Sequence, residues 1–380
     1  MAKRPAVDFI FFDAGGGHRA AATALESLLR AQNRPWDIRL VDLQDVLDEL
    51  DIFRKLTGLR LEDIYNRLLE SGWTLGSTQL LPLMHGVIRI YHSAQVRVLT
   101  RFWSQNTPDM VVSLVPNFER SMWQALQKVN PALPFVTVLT DMADYPPSFW
   151  IERQKQIFIC GTDRAMQQVR EISPESSAHR VSGMILNPRF YEVPPVDIPA
   201  ARRELGLDPA KPTGLVLFGG MGSEKMSAIL DRIDRSPLDL QLILICGKND
   251  KLRAKLAARP TRIAKFVEGF TRDVPRYMQL ADFFIGKPGP GSISEAIHMG
   301  LPVIVEKNAW TLPQERFNAD WVVEQNVGES LSNFSQIVPA LERMLAPGRL
   351  AQLQQNARAI QNRAIFEVAD LLASFLPETR

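Results

Sequence analysis

Two stretches of the sequence carry side chains whose types and spacing suit chemistry. The first is Asp13-Ala14-Gly15-Gly16-Gly17-His18. An imidazole with its ordinary pKa of about 6.5 is largely neutral near pH 7 and can take a proton from a hydroxyl. The three glycines before His18 let the backbone turn sharply and approach a ligand closely. The second stretch is Lys287-Pro288-Gly289-Pro290-Gly291-Ser292-Ile293-Ser294-Glu295. Gly289 and Gly291 again permit close approach. The unpaired first-turn amides of a helix opening there suit phosphate oxygens. Ser292 can cap that helix or donate to a phosphate, and Glu295, about one turn in, can accept from two ribose hydroxyls. Both stretches have ligand-free explanations as well. Ser292 and Glu295 have the spacing of a capping box, and a histidine after a glycine turn can simply cap it.

Each stretch needs a strand before it and a helix after it, and the sequence supplies both. The run 7–12 reads as a strand, and Ala20, Ala21, Ala24, Leu25 and Leu28 form one helical stripe. The run 282–286 reads as a buried strand before Ile293, Ala296, Ile297 and Met299. A third glycine turn, Gly219-Gly220-Met221-Gly222-Ser223, joins a strand at 213–218 to a helix from about Glu224. Further short apolar runs lie at 38–41, 110–115, 134–140, 156–160, 240–246, 265–270 and 302–306. Helical patterns fall between them, the signature of parallel sheets. This strand–helix alternation predicts two Rossmann-like α/β domains facing each other across a cleft. The expected division is 1–186 and 187–357, with a proline-rich linker carrying Pro194, Pro195 and Pro199. Gly15, Gly17 and Ala20 also satisfy a loose dinucleotide pattern, with Asp37 or Asp42 as the ribose acid. A dinucleotide domain with a substrate domain has no need of glycine turns opening both halves and a third after Phe284.

Composition narrows the function classes. A net charge of +2 over 380 residues argues against a dedicated nucleic-acid binder. The two cysteines, Cys160 and Cys246, sit in apolar runs and imply a reducing compartment without disulfides. The N-terminus makes a poor signal peptide, and no apolar run approaches the ~18 residues of a membrane span. Residues 71–108 contain no acidic side chain. There Arg89, Arg97 and Arg101 stand among Trp73, Trp103 and other large apolar residues. That pattern suits an anionic membrane surface, or else a helix pair with a basic edge. Asp141 and Asp144 resemble a metal pair but lack a histidine or third carboxylate, so no metal site is expected. Asp141, at a strand's carboxyl end, can orient His18, act as the base itself, or cap a turn before Pro146.

The segments Gly15-Gly16-Gly17-His18-Arg19 and 286–305 resemble those of the monogalactosyldiacylglycerol synthase and processive diacylglycerol glucosyltransferase family. That family belongs to the GT-B glycosyltransferases, of which the peptidoglycan N-acetylglucosaminyltransferase is a more distant member. The resemblance implies inverting transfer of galactose or glucose from a UDP-hexose to a lipid such as diacylglycerol. The enzyme would act peripherally, at the cytoplasmic face of a membrane. His18 would be needed for activity, with Gly16 and Gly17 on the acceptor side. Phe270 would support the nucleobase through its main chain. Gln314, Glu315 and Asn318 would contact the donor sugar. The glycine turns, with Ser223, Lys287 and Ser292, would hold the diphosphate without a cofactor or obligatory metal. A last helix, about 358–380, would pack back on the first domain. The segment Trp310-Thr311-Leu312-Pro313 departs from the family's pattern, leaving the sugar open. Two alternatives use the same fold: a UDP-sugar 2-epimerase, and a non-catalytic nucleotide-sugar or lipid-binding protein.

Overall fold

The computed structural model describes residues 4–13, 17–48 and 90–376. The chain divides into two compact units, Met1–Pro188 with Asn362–Arg380, and Arg189–Gln361.

The first unit is built on six parallel strands: β1 (Ala6–Phe11), β2 (Asp37–Asp42), β3 (Met110–Ser113), β4 (Phe135–Val138), β5 (Ile157–Cys160) and β6 (Ser177–Arg180). Their order is β2-β1-β3-β4-β5-β6. The chain leaves β1 toward one side for β2 and returns on the other side for β3. The strand order therefore reverses between β1 and β3, paired through Ile10 and Ser113. In open parallel sheets that reversal leaves a crevice at the carboxyl ends of the strands, where ligands bind. The helix Gly17–Ala31 buries Ala21, Leu25, Leu28 and Leu29, the stripe its 3.6-residue spacing predicts. On it packs the helix Ala364–Phe375, tied by Arg34 to Asp370 at 2.7 Å. The chain enters that helix across Gly183, where a Cβ would lie 2.8 Å from the Asn362 side chain. Asn362 Nδ2 donates to the Met184 carbonyl at 3.0 Å.

One membrane-facing expectation is overturned here. Trp103, on the helix His92–Gln105, is fully buried and its Nε1 donates to Asp8 Oδ2 at 3.1 Å. Asp8 is itself buried and pairs with Arg39 at 2.5 Å. Burial pushes the Asp8 carboxyl up, against the opposing pull of Arg39. Trp103 is thus a core side chain satisfying a strand carboxylate, as a buried indole N–H requires. Glu119 is a second buried carboxyl. It accepts from Ser113 Oγ at 2.7 Å and Thr137 Oγ1 at 2.6 Å, and burial pushes it up to about 8.

The second unit repeats the plan with β7 (Thr213–Leu217), β8 (Gln241–Ile245), β9 (Lys265–Glu268), β10 (Phe283–Gly286), β11 (Val303–Glu306) and β12 (Gly328–Leu331). The order β12-β11-β10-β7-β8-β9 reverses between β7 and β10. Its core joins Val216, Leu242 and Leu244 to Met226, Ile229 and Ile233 of the helix Lys225–Arg235. The sequence pattern shows neither β6 nor β12. Pro199, read as linker, lies in the first turn of the helix Ile198–Glu204, where a proline's missing N–H costs nothing. Both cysteines are free and buried.

Candidate active site

In the first unit, His18 stands in the opening turn of the helix Gly17–Ala31, beside the β1/β3 reversal. Its Nδ1 lies 2.9 Å from Thr140 Oγ1, just beyond β4. Burial lowers the imidazole to about 4, against a smaller opposing effect of the Leu114 carbonyl beyond β3. His18 is therefore neutral at pH 7. Trp150 lies alongside, its ring centroid 5.8 Å from that of His18. The Trp150 Nε1 donates to Asp141 Oδ2 at 2.9 Å. Asp141 thus reaches the histidine's surroundings through the indole, while Thr140 is the side chain bonded to Nδ1. Asp144 has a different task. It accepts from the backbone N–H groups of Trp150 at 2.6 Å and Ser148 at 3.1 Å, closing the turn on which Trp150 sits. Burial raises it to about 6. Among the described residues, no three His, Cys, Asp or Glu are grouped to hold a metal ion.

In the second unit, the two glycine turns flank the β7/β10 reversal. Gly219 and Gly222 have φ of +72° and +63°. Gly222 could not be another residue without rebuilding, because its Cβ would lie 2.5 Å from the Cys246 carbonyl oxygen. The turn is closed by the Lys248 N–H donating to the Gly220 carbonyl at 2.8 Å. Ser223 precedes the helix, which starts at Lys225. After β10, Gly289 is the N-cap and Pro290 opens the helix Pro290–His298. The capping box is absent, since no side chain caps this end, and Ser292 and Glu295 lie inside the helix. Beside Gly291 there is open space where a side chain would stand. Glu295 is half-buried, and burial alone pushes it up to about 7. Lys287 Nζ pairs with Glu315 Oε1 at 3.0 Å, bridging the β10 loop to the turn Pro313–Glu315. Phe270, just past β9, is 58% exposed, and Lys248 Nζ sits 5.7 Å from its ring centroid.

One expected sugar contact is relocated. Asn318 is fully buried, and its Nδ2 donates to the Pro288 carbonyl at 2.8 Å. It shapes the β10 loop from behind. Gln314 is half-buried and Glu315 buried at the same edge. Arg97 and Arg101 are exposed, one helical turn apart on the helix His92–Gln105. Gly16, Trp73 and Arg89 lie outside the described residues. The sequence reading missed Thr140 and Trp150. Thr140 shares Asp141's signal, a polar residue at a strand's carboxyl end. Trp150 has none, since it reaches the histidine only through the turn around Asp144. It also missed Glu306, at the end of β11, which takes Lys225 at 2.5 Å, Asn308 Nδ2 at 2.8 Å and the Phe334 N–H at 3.0 Å.

Residues 215–372 match the family model "Glycosyltransferase family 28 C-terminal domain". The chain is similar to monogalactosyldiacylglycerol synthase 1, chloroplastic, of Arabidopsis thaliana. The two are 27% identical over 390 residues, covering 94% of this chain and 68% of the relative. Among solved structures it is similar to MurG of Acinetobacter baumannii, with a TM-score of 0.60, 13% identity, and coverage of 98% of this chain and 100% of the other. It is also similar to Anabaena Alr3699/HepE in complex with UDP-glucose, with a TM-score of 0.55, 16% identity, and coverage of 98% and 99%. At these identities the structural likeness is one of fold. Paired six-stranded parallel sheets of this kind, carrying that family 28 match, define a glycosyltransferase of the GT-B class. Such enzymes differ widely in what they glycosylate. Within the class, the resemblance to the monogalactosyldiacylglycerol synthases extends along nearly the whole chain.

Proposed function

We propose that this glycosyltransferase moves a hexose, galactose or glucose, from a UDP-sugar to the hydroxyl of a lipid such as diacylglycerol, with inversion. The observation that carries this reading is the His18 setting: a neutral imidazole at the carboxyl end of β1, held at Nδ1 by Thr140. The acceptor oxygen bonds to the anomeric carbon as its proton passes to His18. The bond from that carbon to the diphosphate oxygen breaks, and its electron pair leaves with UDP. The burial that keeps His18 neutral also makes it a weak base, so proton transfer accompanies C–O bond formation rather than preceding it. A positioned base contributes about 10²–10⁴-fold. Asp141 is the other candidate base, or holds the surroundings of His18 through Trp150.

The donor falls to the second unit in this proposal. Glu295 takes the ribose hydroxyls, and the Phe270 backbone takes the nucleobase. The turns at Gly219–Ser223 and Lys287–Ser292 take the diphosphate. Two helix N-termini there offer N–H donors to the charge that develops on the leaving group, with no obligatory metal. The UDP-glucose bound to the Anabaena neighbour and the names of the relatives support the substrate classes. The enzyme works as a peripheral protein on an anionic surface, the cytoplasmic face of a membrane. The exposed Arg97 and Arg101 support that placement, and no helix among the described residues is long and apolar enough to cross a bilayer. The test is to incubate the purified protein with radiolabelled UDP-galactose or UDP-glucose and diacylglycerol liposomes. Labelled glycolipid is the expected product. A hexose epimerised at C2, free or still on UDP, or nucleotide binding without any transfer, refutes the proposal.

A further inference from the structure

A cavity of about 710 Å³ lies within the second unit. It is bordered by Ala281 and Asp282, just before β10, and by Gly300 and Leu301, just before β11. It therefore sits at the amino ends of parallel strands, whereas the glycine turns follow the carboxyl ends. The helix Pro290–His298 runs from one edge to the other, with Gly291 in its first turn and His298 at the cavity. The volume falls in the range of small-molecule sites, about 300–1,000 Å³.

Three side chains that line the cavity share one pattern. Gln279 Nε2 donates to the Pro194 carbonyl at 3.2 Å, and Gln354 Nε2 to the Asp282 carbonyl at 3.0 Å. His298 Nε2 lies 3.2 Å from the Phe190 carbonyl. A carbonyl can only accept, so it fixes the orientation of both amides and places the histidine proton on Nε2. Burial lowers the His298 pKa, which keeps the ring neutral and leaves Nδ1 a lone pair. Each side chain has thus committed a donor to the backbone and kept an acceptor. Gln279 Oε1 is fully buried and meets no donor among the described residues, a costly state unless a ligand or water supplies one. The charges in the wall differ in their commitments. Buried Arg202 donates to the Leu280 carbonyl at 3.0 Å and pairs with Asp282 at 2.9 Å, so the Asp282 carboxylate is neutralised. Arg358, in the last turn of the helix Arg349–Ala359, is exposed, and no carboxylate pairs with it among the described residues. Its stem lies across Gly300, whose φ is +76° and whose Cβ would stand 2.9 Å from Arg358 Cγ. A side chain at 300 would push the arginine away, so glycine there seats a guanidinium at the cavity. Surplus acceptors and one uncommitted cation suit a ligand with several hydroxyls and a negative charge.

We infer that this cavity is a second ligand site, taking a small hydroxylated anion of the sugar-phosphate or sugar-acid class. The ligand's hydroxyls donate to Gln279, Gln354 and His298, and its charged group meets Arg358. The site is separate from the donor turns, and its test does not depend on the donor reading. Calorimetry on the full chain titrates glucose 6-phosphate, gluconate, glucose and inorganic phosphate, each with and without excess UDP. At least one of the two hydroxylated anions binds with a Kd below about 10 mM, and UDP does not displace it. Glucose and inorganic phosphate bind at least about tenfold more weakly, since each lacks one half of the recognition. Arg358→Ala lowers affinity for the anion about tenfold, the scale of one charge-assisted contact, whereas Arg358→Lys retains most of it. His298→Phe keeps a ring but loses the Nδ1 acceptor, and weakens the anion about fivefold or more. Thermal unfolding checks that each variant is folded. Absence of binding by both anions at about 10 mM overturns the inference, and so does their displacement by UDP. Inorganic phosphate binding as tightly as glucose 6-phosphate would reduce Arg358 to a surface anion contact and overturn it too. So would binding indifferent to both Arg358→Ala and His298→Phe.

Discussion

If Glu295 takes the donor's ribose hydroxyls, as proposed, its carboxyl makes donor binding depend on pH in one direction. Burial holds its carboxyl at about 7, against 4.5 ordinarily. Two ribose hydroxyls are donors, so they bind the ionised form. With a pKa near 7, about one-eleventh of the protein is ionised at pH 6 and about ten-elevenths at pH 8. The affinity for a UDP-hexose should therefore fall about tenfold from pH 8 to pH 6. A UDP-hexose is the right probe, since its diphosphate has no proton that titrates in this window. Glu295→Gln should bind more weakly at pH 8 and show a flat profile. Glu295→Ala should lose about 1–3 kcal/mol, the scale of a charge-assisted hydrogen bond. Stability moves with the same group. Between pH 4.5 and 7 the folded protein keeps a proton that the unfolded chain releases, so Glu295 lowers stability as pH rises through that window. By pH 8, Glu295→Gln should be the more stable protein, by on the order of 3 kcal/mol at most. A wild-type affinity that is flat from pH 6 to 8, or a glutamine variant that keeps the wild-type slope, would refute the reasoning.

His18→Ala should lower kcat by at least about 10²-fold and leave calorimetric UDP affinity intact, whereas Asp141→Asn should be milder. The reverse ranking would move the base to Asp141. Neutralising Arg89, Arg97 and Arg101 together should reduce sedimentation with anionic vesicles and make the residual binding less dependent on salt. Binding indifferent to the triple change would reduce the basic stretch to a packing feature. Glu119, held at about 8 by burial, should make the wild type lose thermal stability as pH rises from 4.5 through 8. Glu119→Gln should flatten that loss, and an unchanged profile would mean the carboxyl is ionised in the fold.

Ten of the twelve strands are visible as apolar runs, eight of them because they are buried on both faces, which leaves no alternation to misread; the half-exposed edge strands β2 and β9 still carry Ile38, Leu40 and Val41, and Phe266 and Val267. The other two, β6 and β12, lie at sheet edges with half-exposed polar residues, so nothing local marks Ser177–Arg180 or Gly328–Leu331 as strands. The glycine turns were legible for a different reason. Gly222 answers to a backbone constraint that only glycine meets. Burial of single side chains was not legible. Trp103 and Arg97 sit six residues apart in the same basic-aromatic stretch, yet one is core and the other surface. Asn318 occupies a motif position, but it turns inward because the Pro288 carbonyl needs a donor. Partners distant in sequence, such as Thr140 for His18, exist only once β1 and β4 are brought into one sheet.

The seam at Gly183 and Asn362 has a consequence for how the molecule is made. The unit bearing His18 is completed by residues that leave the ribosome only after the whole of the other unit, whereas the unit bearing Glu295 is one uninterrupted segment. During synthesis the second unit can close as soon as its own segment has emerged. The helix Gly17–Ala31 must wait for the helix Ala364–Phe375, which packs on it. Until then the side of it that this helix covers is open to chaperones or to wrong partners. A nascent chain stalled before residue 362 would carry a finished second unit and an unfinished first one.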